Sequence, residues 1–138
     1  IISNEKKNKI NSSITYLKFY KSITLEKIKL IKFLKFLKKK NKIVIGYGAS
    51  TKGNVILQFC KINSTLLKNI CEVNSDKDGA YTPGSNIKII SEKKAKLLKP
   101  DYYLVLPWHF RKFIINKESK LMKKGTKFIF PLPKFQII

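Results

Sequence analysis

The sequence predicts an α/β fold in which about five mostly parallel strands are flanked by helices, with an extra helix at the N-terminus. From residue 42 onward, short apolar segments rich in β-branched and aromatic residues alternate with segments of helical periodicity. Strands that alternate with helices form βαβ units, and these build a parallel sheet covered on both faces. The nearly continuous apolar runs YYLVLP and KFIFPL are typical of strands buried on both sides.

Five strands are predicted, at 42–48, 69–74, 87–91, 101–109 and 126–133. The helices between them are predicted at 50–62, 92–100 and 111–125. Hydroxyl side chains stand where N-caps are needed, at Ser50 or Thr51 and at Ser91, and Gly125 marks a helix end. The segment 75–86 is dense in Gly, Pro, Asp and Asn and is predicted to be a loop, and the last five residues are expected to form an extended tail.

Residues 1–22 are polar and rich in Lys, Asn and Ser, so we interpret them as a linker or N-terminal extension that can form a short helix around residues 16–20, followed by one domain at 23–138. Residues 24–40 have the period of an amphipathic helix that Thr24 would cap, with Glu26 near the positive end of its dipole. Its apolar stripe comprises Leu30, Ile31, Leu34 and Leu37. We expect this stripe to pack on the sheet, although a basic amphipathic helix can also bind a membrane surface.

The charge is extreme, with 30 Lys and Arg against 8 Asp and Glu and a formal net charge of +22. Arg111 is the only arginine, and the lysines are spread along the whole chain. Because proteins that clamp phosphates or read bases favour the bidentate arginine fork, nucleic-acid binding is not the preferred interpretation.

Cys60 and Cys71 fit neither a disulfide framework nor a zinc motif. The chain starts at Ile1 without a methionine, has a polar N-terminus and lacks a 20-residue apolar stretch, so we expect a cytoplasmic fragment without a membrane span.

Ligands of open α/β sheets bind at the carboxyl ends of the strands, where four loops are expected to meet. These loops are Gly46–Asn54, Glu72–Gly84, Pro107–Phe110 and Pro131–Pro133. The first, GYGASTKGN, is a glycine-rich turn that leads into a helix, an arrangement that can cradle a phosphate on backbone N–H groups. It matches neither G-x-G-x-x-G nor the P-loop, and its glycines could serve turn geometry alone.

In the second loop, Glu72 stands at the end of a strand, where an acidic residue commonly accepts hydrogen bonds from a ribose diol. A carboxylate paired with lysine is the alternative. Tyr81 could stack on a base or be partly buried. The third loop holds the only Trp and the only His. His109 is therefore a candidate general base or a structural histidine, and no metal site is expected because a second His and a Cys pair are lacking.

Taken together, GYGASTKGNVILQFC, EVNSDKDGAYTPGSNI, KPDYYLVLPWHF and KFIFPLP resemble the C-terminal domain of C-methyltransferases that act on nucleotide-linked deoxysugars. The resemblance spans about residues 24–135. It implies that this chain is a Rossmann-like domain which helps to hold a nucleoside-diphosphate 4-keto sugar. In complete enzymes of the family, a small zinc-binding domain and a SAM-binding domain precede it, and a base removes the proton next to the ketone before the methyl group is transferred.

The resemblance also implies a division of the binding residues. The diphosphate would lie against the first loop: Gly46, Tyr47, Gly48, Ser50, Thr51, Lys52, Gly53 and Asn54. The nucleoside would lie near the second: Glu72, Asn74, Lys77, Tyr81 and Thr82. The sugar or a domain interface would lie near Trp108, His109 and Phe110.

A zinc-type cysteine cluster and a second glycine-rich unit for SAM are not seen in the sequence, so this chain by itself is expected not to methylate. Its expected partners are the nucleotide sugar and the missing zinc- and SAM-binding domains, and SAM belongs to the complete enzyme. Two other functions stay open. One is a free-standing module that binds a nucleotide or dinucleotide, and the other is a lysine-rich adaptor for RNA or membranes.

Overall fold

The computed structural model of the chain describes residue 10 and residues 12–138. We number its elements in chain order. The strands are β1 (Val44–Tyr47), β2 (Asn69–Glu72), β3 (Lys88–Ser91), β4 (Tyr102–Val105), β5 (Lys127–Phe130) and β6 (Gln136–Ile137). The α-helices are α1 (Ser13–Lys39), α2 (Thr51–Phe59), α3 (Glu92–Leu97), α4 (Arg111–Lys117) and α5 (Ser119–Lys123), and short 3-10 turns lie at Ser75–Lys77 and Trp108–Phe110.

The strands form one sheet in the order β3-β2-β1-β4-β5-β6. The first five pair in parallel, which confirms the predicted α/β fold. The sixth strand is antiparallel to β5 and pairs Ile129 with Ile137. It falls in the predicted extended tail, and because it is only two exposed residues long, its sequence lacks the apolar run by which the other strands were found.

Both faces of the sheet are covered. Leu104 and Ile129 point to one side, where they pack with residues of α1 and α2 such as Leu34 and Leu57. On the other side Tyr103 and Phe128 pack with residues of the helices that follow β3 and β4, for example Ala95 and Ile114. This two-sided burial explains why the strands are apolar at consecutive positions rather than at alternate ones.

Helix α1 begins at Ser13, so the predicted start at Thr24 is wrong. The described part of the predicted linker is mostly helical, and the proposed boundary after residue 22 falls inside α1; residues 1–9 and 11 lie outside the described residues. Thr24 is therefore not an N-cap, and Glu26 is in the fourth helical turn rather than at the positive end of the dipole. Its carboxylate instead accepts hydrogen bonds from Lys29 Nζ at 2.8 Å and from the Phe135 N–H at 2.6 Å.

The predicted apolar stripe of α1 does pack on the sheet. Leu30, Leu34 and Leu37 are each only 1% exposed, and Ile31 is partly buried against the same core. The charged positions between them point to solvent. None of the helices in residues 12–138 is long and apolar enough to cross a membrane.

The predicted serine caps are confirmed. Ser50 Oγ accepts a hydrogen bond from the Gly53 N–H at 3.0 Å, and Ser91 Oγ accepts one from the Lys94 N–H at 3.3 Å. The helix predicted at 111–125 is divided in two at Glu118, whose backbone leaves the helical region with φ −100° and ψ 14°. Glu118 is 4% exposed, and its side chain turns inward to the hydroxyl of Tyr47.

Candidate functional site

The carboxyl ends of β1 and β4 mark the centre of the sheet, where the strand order reverses direction. The chain leaves β1 toward β2 and leaves β4 toward β5, so the loops after Tyr47 and Val105 diverge and open a crevice between them. A cavity of about 430 Å³ occupies this position. It lies at the edge where the sequence predicts a ligand, and its volume falls in the range of small-molecule sites.

The cavity is lined by some of the residues that the sequence predicts to bind a ligand. Seven of the predicted residues line it: Tyr47, Gly48, Ser50, Thr51, Glu72, Lys77 and Phe110. The other nine do not line it: Gly46, Lys52, Gly53, Asn54, Asn74, Tyr81, Thr82, Trp108 and His109. The candidate site is therefore narrower than the sequence predicts and centres on the first loop and the start of the second.

The glycines of the first loop are explained by packing within the chain. Gly48 has a left-handed backbone with φ 81°, and a Cβ atom there would lie 2.9 Å from both Cγ and Cδ of Pro107. A Cβ at Gly53 would lie 2.7 Å from Leu106 Cβ, and one at Gly46 would lie 2.6 Å from Ile70 Cγ1. These glycines bring the turn, α2 and the neighbouring strands close together. The parts of this turn that can bind an anion are the exposed side chains of Thr51 and Lys52 and the backbone N–H groups that have no partner.

Two such groups stand at the beginning of α2. The Ser50 side chain caps the Gly53 N–H, and the Ser50 N–H is bonded to the Gly48 carbonyl. Within the described chain, the N–H groups of Thr51 and Lys52 have no hydrogen-bond partner. They stand at the positive end of a nine-residue helix, beside the cavity that Thr51 lines. Free N–H groups at a helix N-terminus favour an anion.

Glu72 fixes the position of the first loop. Its Oε2 accepts a hydrogen bond from the Ala49 N–H at 2.8 Å, and its Oε1 accepts bonds from the Val73 and Asn74 N–H groups at 2.9 and 3.2 Å. Lys77 Nζ lies 3.8 Å from Oε2 and donates a hydrogen bond to the Ala49 carbonyl at 3.0 Å. The carboxylate lines the cavity and also holds the glycine turn to the end of β2.

The opposite wall of the cavity carries charged residues that the sequence analysis missed. Lys117 Nζ donates a hydrogen bond to Glu92 Oε1 at 2.7 Å, and both residues line the cavity. Burial lowers the pKa of Lys117, but the hydrogen bond and the charges of Glu92 and Glu118 outweigh it, so the pKa is raised overall. Lys117 therefore stays protonated at neutral pH. In the sequence it looks like any other surface lysine, and only the fold places it here.

The side chains of Tyr47 and Cys71 also line the cavity, and both are uncharged at neutral pH. Burial raises the pKa of the Tyr47 hydroxyl, and its hydrogen bond to Glu118 Oε1 at 2.8 Å raises it further. Burial also raises the pKa of the Cys71 thiol to about 12, so the thiolate form is scarce at neutral pH. Tyr47 therefore acts as a hydrogen-bond donor, and Cys71 is not activated as a nucleophile.

The third loop faces two different cavities. Phe110 contributes to the cavity at β1 and β4 and also to a neighbouring groove of about 470 Å³. Trp108 and His109 line that groove, together with Leu132 and Pro133, and do not line the first cavity. The His109 ring is exposed, and its centroid lies 4.3 Å from that of Phe110. Its role as a general base stays a prediction.

The residues predicted near the nucleoside mostly have structural contacts. Tyr81 is exposed and pairs with Lys88 at the start of β3. Thr82 Oγ1 is buried, lies 2.6 Å from Ser85 Oγ and accepts a hydrogen bond from the Ile87 N–H at 3.0 Å. Asn74 accepts a bond from the Asp76 N–H and so caps the 3-10 turn. In the described part of the chain, no group of three or more His, Cys, Asp or Glu side chains is placed to hold a metal ion.

Comparison with known proteins identifies the family. A family model described as the C-methyltransferase C-terminal domain matches residues 1–133. The C-methyltransferase NovU of Streptomyces niveus is 37% identical over 97 residues, which are 70% of this chain but only 23% of that protein. The chain thus spans less than a quarter of the length of this relative. It belongs to the C-methyltransferase C-terminal domain family, which is a family of methyltransferase enzymes.

Proposed function

We propose that the cavity at the ends of β1 and β4 binds a nucleoside-diphosphate sugar and holds it for a SAM-binding domain of the same enzyme. In this proposal the complete enzyme methylates a carbon next to the ketone of a 4-keto deoxysugar, and SAM supplies the methyl group. The observation that carries the proposal is the position of this cavity at the strand switch point, beside two N–H groups that lack a partner in the described chain.

The diphosphate is assigned to the beginning of α2. The N–H groups of Thr51 and Lys52 are free to donate hydrogen bonds, and the helix dipole adds a positive potential. Lys77 supplies a nearby cation, because its Nζ lies at the Ala49 carbonyl on the same wall of the cavity. Lys52 extends from the same helical turn and is exposed, so its side chain can approach a phosphate from outside.

The nucleoside and sugar are assigned to the remaining walls. Glu72 accepts hydrogen bonds from three backbone N–H groups, and its oxygens keep further lone pairs that can accept a ribose hydroxyl. On the opposite wall, Phe110 and Phe113 offer apolar surface, and Lys117 with Glu92 can hydrogen-bond sugar hydroxyls. This charged pair suits a neutral polyhydroxylated ring, because its charges compensate each other.

Binding to the chain tests the proposal directly. Isothermal titration calorimetry with dTDP-glucose and UDP-glucose is expected to show binding, with NAD and SAM as comparison ligands. Stronger binding of NAD or SAM would instead favour a free-standing nucleotide-binding module. Absence of binding by all of these nucleotides would refute the assignment of the cavity.

The net charge of +22 is the observation that favours a second function, the binding of RNA. A lysine-rich adaptor would bind RNA mainly through phosphates, so its affinity would fall steeply as salt is raised. The same preparation can be titrated with a short single-stranded RNA at low and at physiological salt. Retention of RNA at physiological salt, without any effect of nucleotide sugars, would favour the adaptor.

A further inference from the structure

The face of α1 that packs on the core continues beyond the body of the domain. At about 100° per residue, Tyr16, Phe19 and Ile23 lie within roughly 60° of the buried stripe formed by Leu30 and Leu34. Yet the eight consecutive residues Ser13–Tyr20 are all exposed. We call residues 13–25 the overhang. At 1.5 Å per residue it is about 20 Å long, and it carries a core-type face that is exposed at Tyr16 and Phe19 and partly buried at Ile23.

The other side of the overhang is apolar as well. Ile14, Leu17 and Leu25 point roughly opposite to the core-type face, and they are exposed by 62%, 58% and 58%. An interfacial helix on a membrane keeps one strongly polar face, whereas the overhang carries apolar side chains on both sides, with Lys18 and Lys21 between those of the second side. The pattern of the overhang is therefore that of a helix enclosed by another protein surface.

An apolar groove adjoins the overhang. It has a volume of about 340 Å³ and lies between α1, α2 and the segment after β5. Phe19 and Ile23 form its wall on the side of the overhang, and Val55, Phe59 and Leu132 are among the residues that line the remainder. The groove and the overhang thus form one continuous apolar surface, and contiguous patches of this kind mark interaction sites.

The charges around this surface determine what fits it. Lys18, Lys21, Lys27 and Lys29 surround the apolar residues, whereas Glu26 is the only carboxylate in α1 and is already bonded to Lys29 and Phe135. A second copy would bring lysines against lysines, with a net charge of +22 on each chain. The complementary partner is apolar at the centre of its surface and carries carboxylates at the rim.

We propose that the overhang and its groove are the docking site for the SAM-binding domain of the complete methyltransferase, which meets them with an apolar surface rimmed by carboxylates. This inference rests on the proposed function, in which the chain is one domain of a longer enzyme. The chain matches less than a quarter of the S. niveus relative, which agrees with a longer enzyme that is built from several domains. Docking at α1 fixes the nucleotide-sugar cavity relative to the methyl donor.

Hydrogen–deuterium exchange tests the docking surface in the complete enzyme and in this chain alone. The amides of residues 13–25 are expected to exchange more than about tenfold more slowly in the complete enzyme, because a buried helix opens less often. The amides of α3 serve as an internal reference. Phe19→Asp and Leu17→Asp in the complete enzyme are expected to abolish the slowing. Leu97→Asp is the matched control, since Leu97 is 75% exposed and lies on α3.

Equal exchange of residues 13–25 in both preparations would overturn the docking proposal. So would a concentration-dependent dimer of the isolated chain in sedimentation, or binding of the isolated chain to anionic phosphatidylserine vesicles that Phe19→Asp abolishes. Calorimetry of the isolated Phe19→Asp variant separates the two proposals. Nucleotide-sugar affinity is expected to be unchanged, and its absence from the unmodified chain would refute the proposed function rather than the docking surface.

Discussion

Glu72 Oε2 and the Ala49 N–H are joined by a 2.8 Å hydrogen bond that links the end of β2 to the glycine turn after β1. The two residues lie on adjacent parallel strands or their immediate extensions, and the bond closes one side of the cavity. Since the same carboxyl group also accepts bonds from Val73 and Asn74, Glu72 ties the glycine turn to the loop after β2 and shapes this side of the cavity.

Glu72→Gln is therefore expected to destabilise the domain as well as to weaken ligand binding. The amide nitrogen of glutamine is a donor, so it would face at least one backbone N–H that now has an acceptor, at a cost of about 1–3 kcal/mol. Urea unfolding measures this difference. Asp76→Asn is the control, because Asp76 is exposed and its carboxylate has no partner in the described chain. An equal unfolding midpoint for the two variants would contradict the structural role of Glu72.

Gly48→Ala is expected to unfold more easily than Gly79→Ala. The two glycines have similar backbones, with φ 81° and 87°, so the strain of a left-handed alanine, about 1–2 kcal/mol, is common to both. Only at Gly48 would the new Cβ also approach the Pro107 ring, at 2.9 Å, whereas Gly79 has open space around it. Thermal unfolding of the pair isolates this contact. Identical losses would show that Pro107 moves aside freely.

Tyr47→Phe is expected to cost about 1–3 kcal/mol because it leaves the buried Glu118 carboxylate without the Tyr47 hydroxyl. Tyr103→Phe is the matched control on the neighbouring strand. Tyr103 is equally buried, and its hydroxyl forms no hydrogen bond in the part of the chain that the structure describes. Chemical denaturation is expected to show a small change for Tyr103→Phe. A comparably small change for Tyr47→Phe would mean that Glu118 finds another donor.

Acid is expected to loosen the attachment of α1 to the C-terminal segment. The hydrogen bonds from Lys29 and from the Phe135 N–H lower the pKa of Glu26 below its ordinary value of 4.5. A lowered pKa contributes stability that is fully present above the unfolded-state pKa and is lost as the pH falls through the folded-state pKa. The free energy of unfolding should therefore decrease below about pH 4.5. Glu26→Gln should be less stable than the unmodified chain at pH 6, and the difference should shrink at pH 3; a difference independent of pH would exclude this linkage.

The sheet and its caps are predictable from the sequence because they depend on local signals. The apolar run that contains Tyr103 and Leu104 indicates a buried strand, and Ser50 and Ser91 stand directly before helices. The start of α1 is different. The polar composition of the N-terminal residues indicates only a short helix around residues 16–20, whereas α1 runs without a break from Ser13 into the stripe of Leu30. Tyr16 and Phe19 have no core to pack on in the described chain, so their burial gives no sign of this continuity.

The candidate site depends on contacts between distant parts of the chain, and its sequence signals are correspondingly weak. Glu118 and Tyr47 are 71 residues apart, and nothing in the sequence indicates that the carboxylate turns inward and divides a helix. Lys117 lines the cavity because the fold brings α4 to the ends of β1 and β4, and its sequence context does not indicate this position. Conversely, the turn-rich sequence around Thr82 indicates a binding loop. In the structure the Thr82 hydroxyl is instead bonded to Ser85 and Ile87 within that loop.

Amide chemical shifts of the ¹⁵N-labelled chain, recorded during a titration with dTDP-glucose or UDP-glucose, reveal whether the cavity at the ends of β1 and β4 binds a nucleotide sugar. The largest changes are expected at Thr51 and Lys52, with smaller ones at Val73 and Phe110 around the cavity. Changes confined to residues that do not line the cavity, such as Tyr81 and Lys88, or no changes at a saturating concentration, would contradict this expectation.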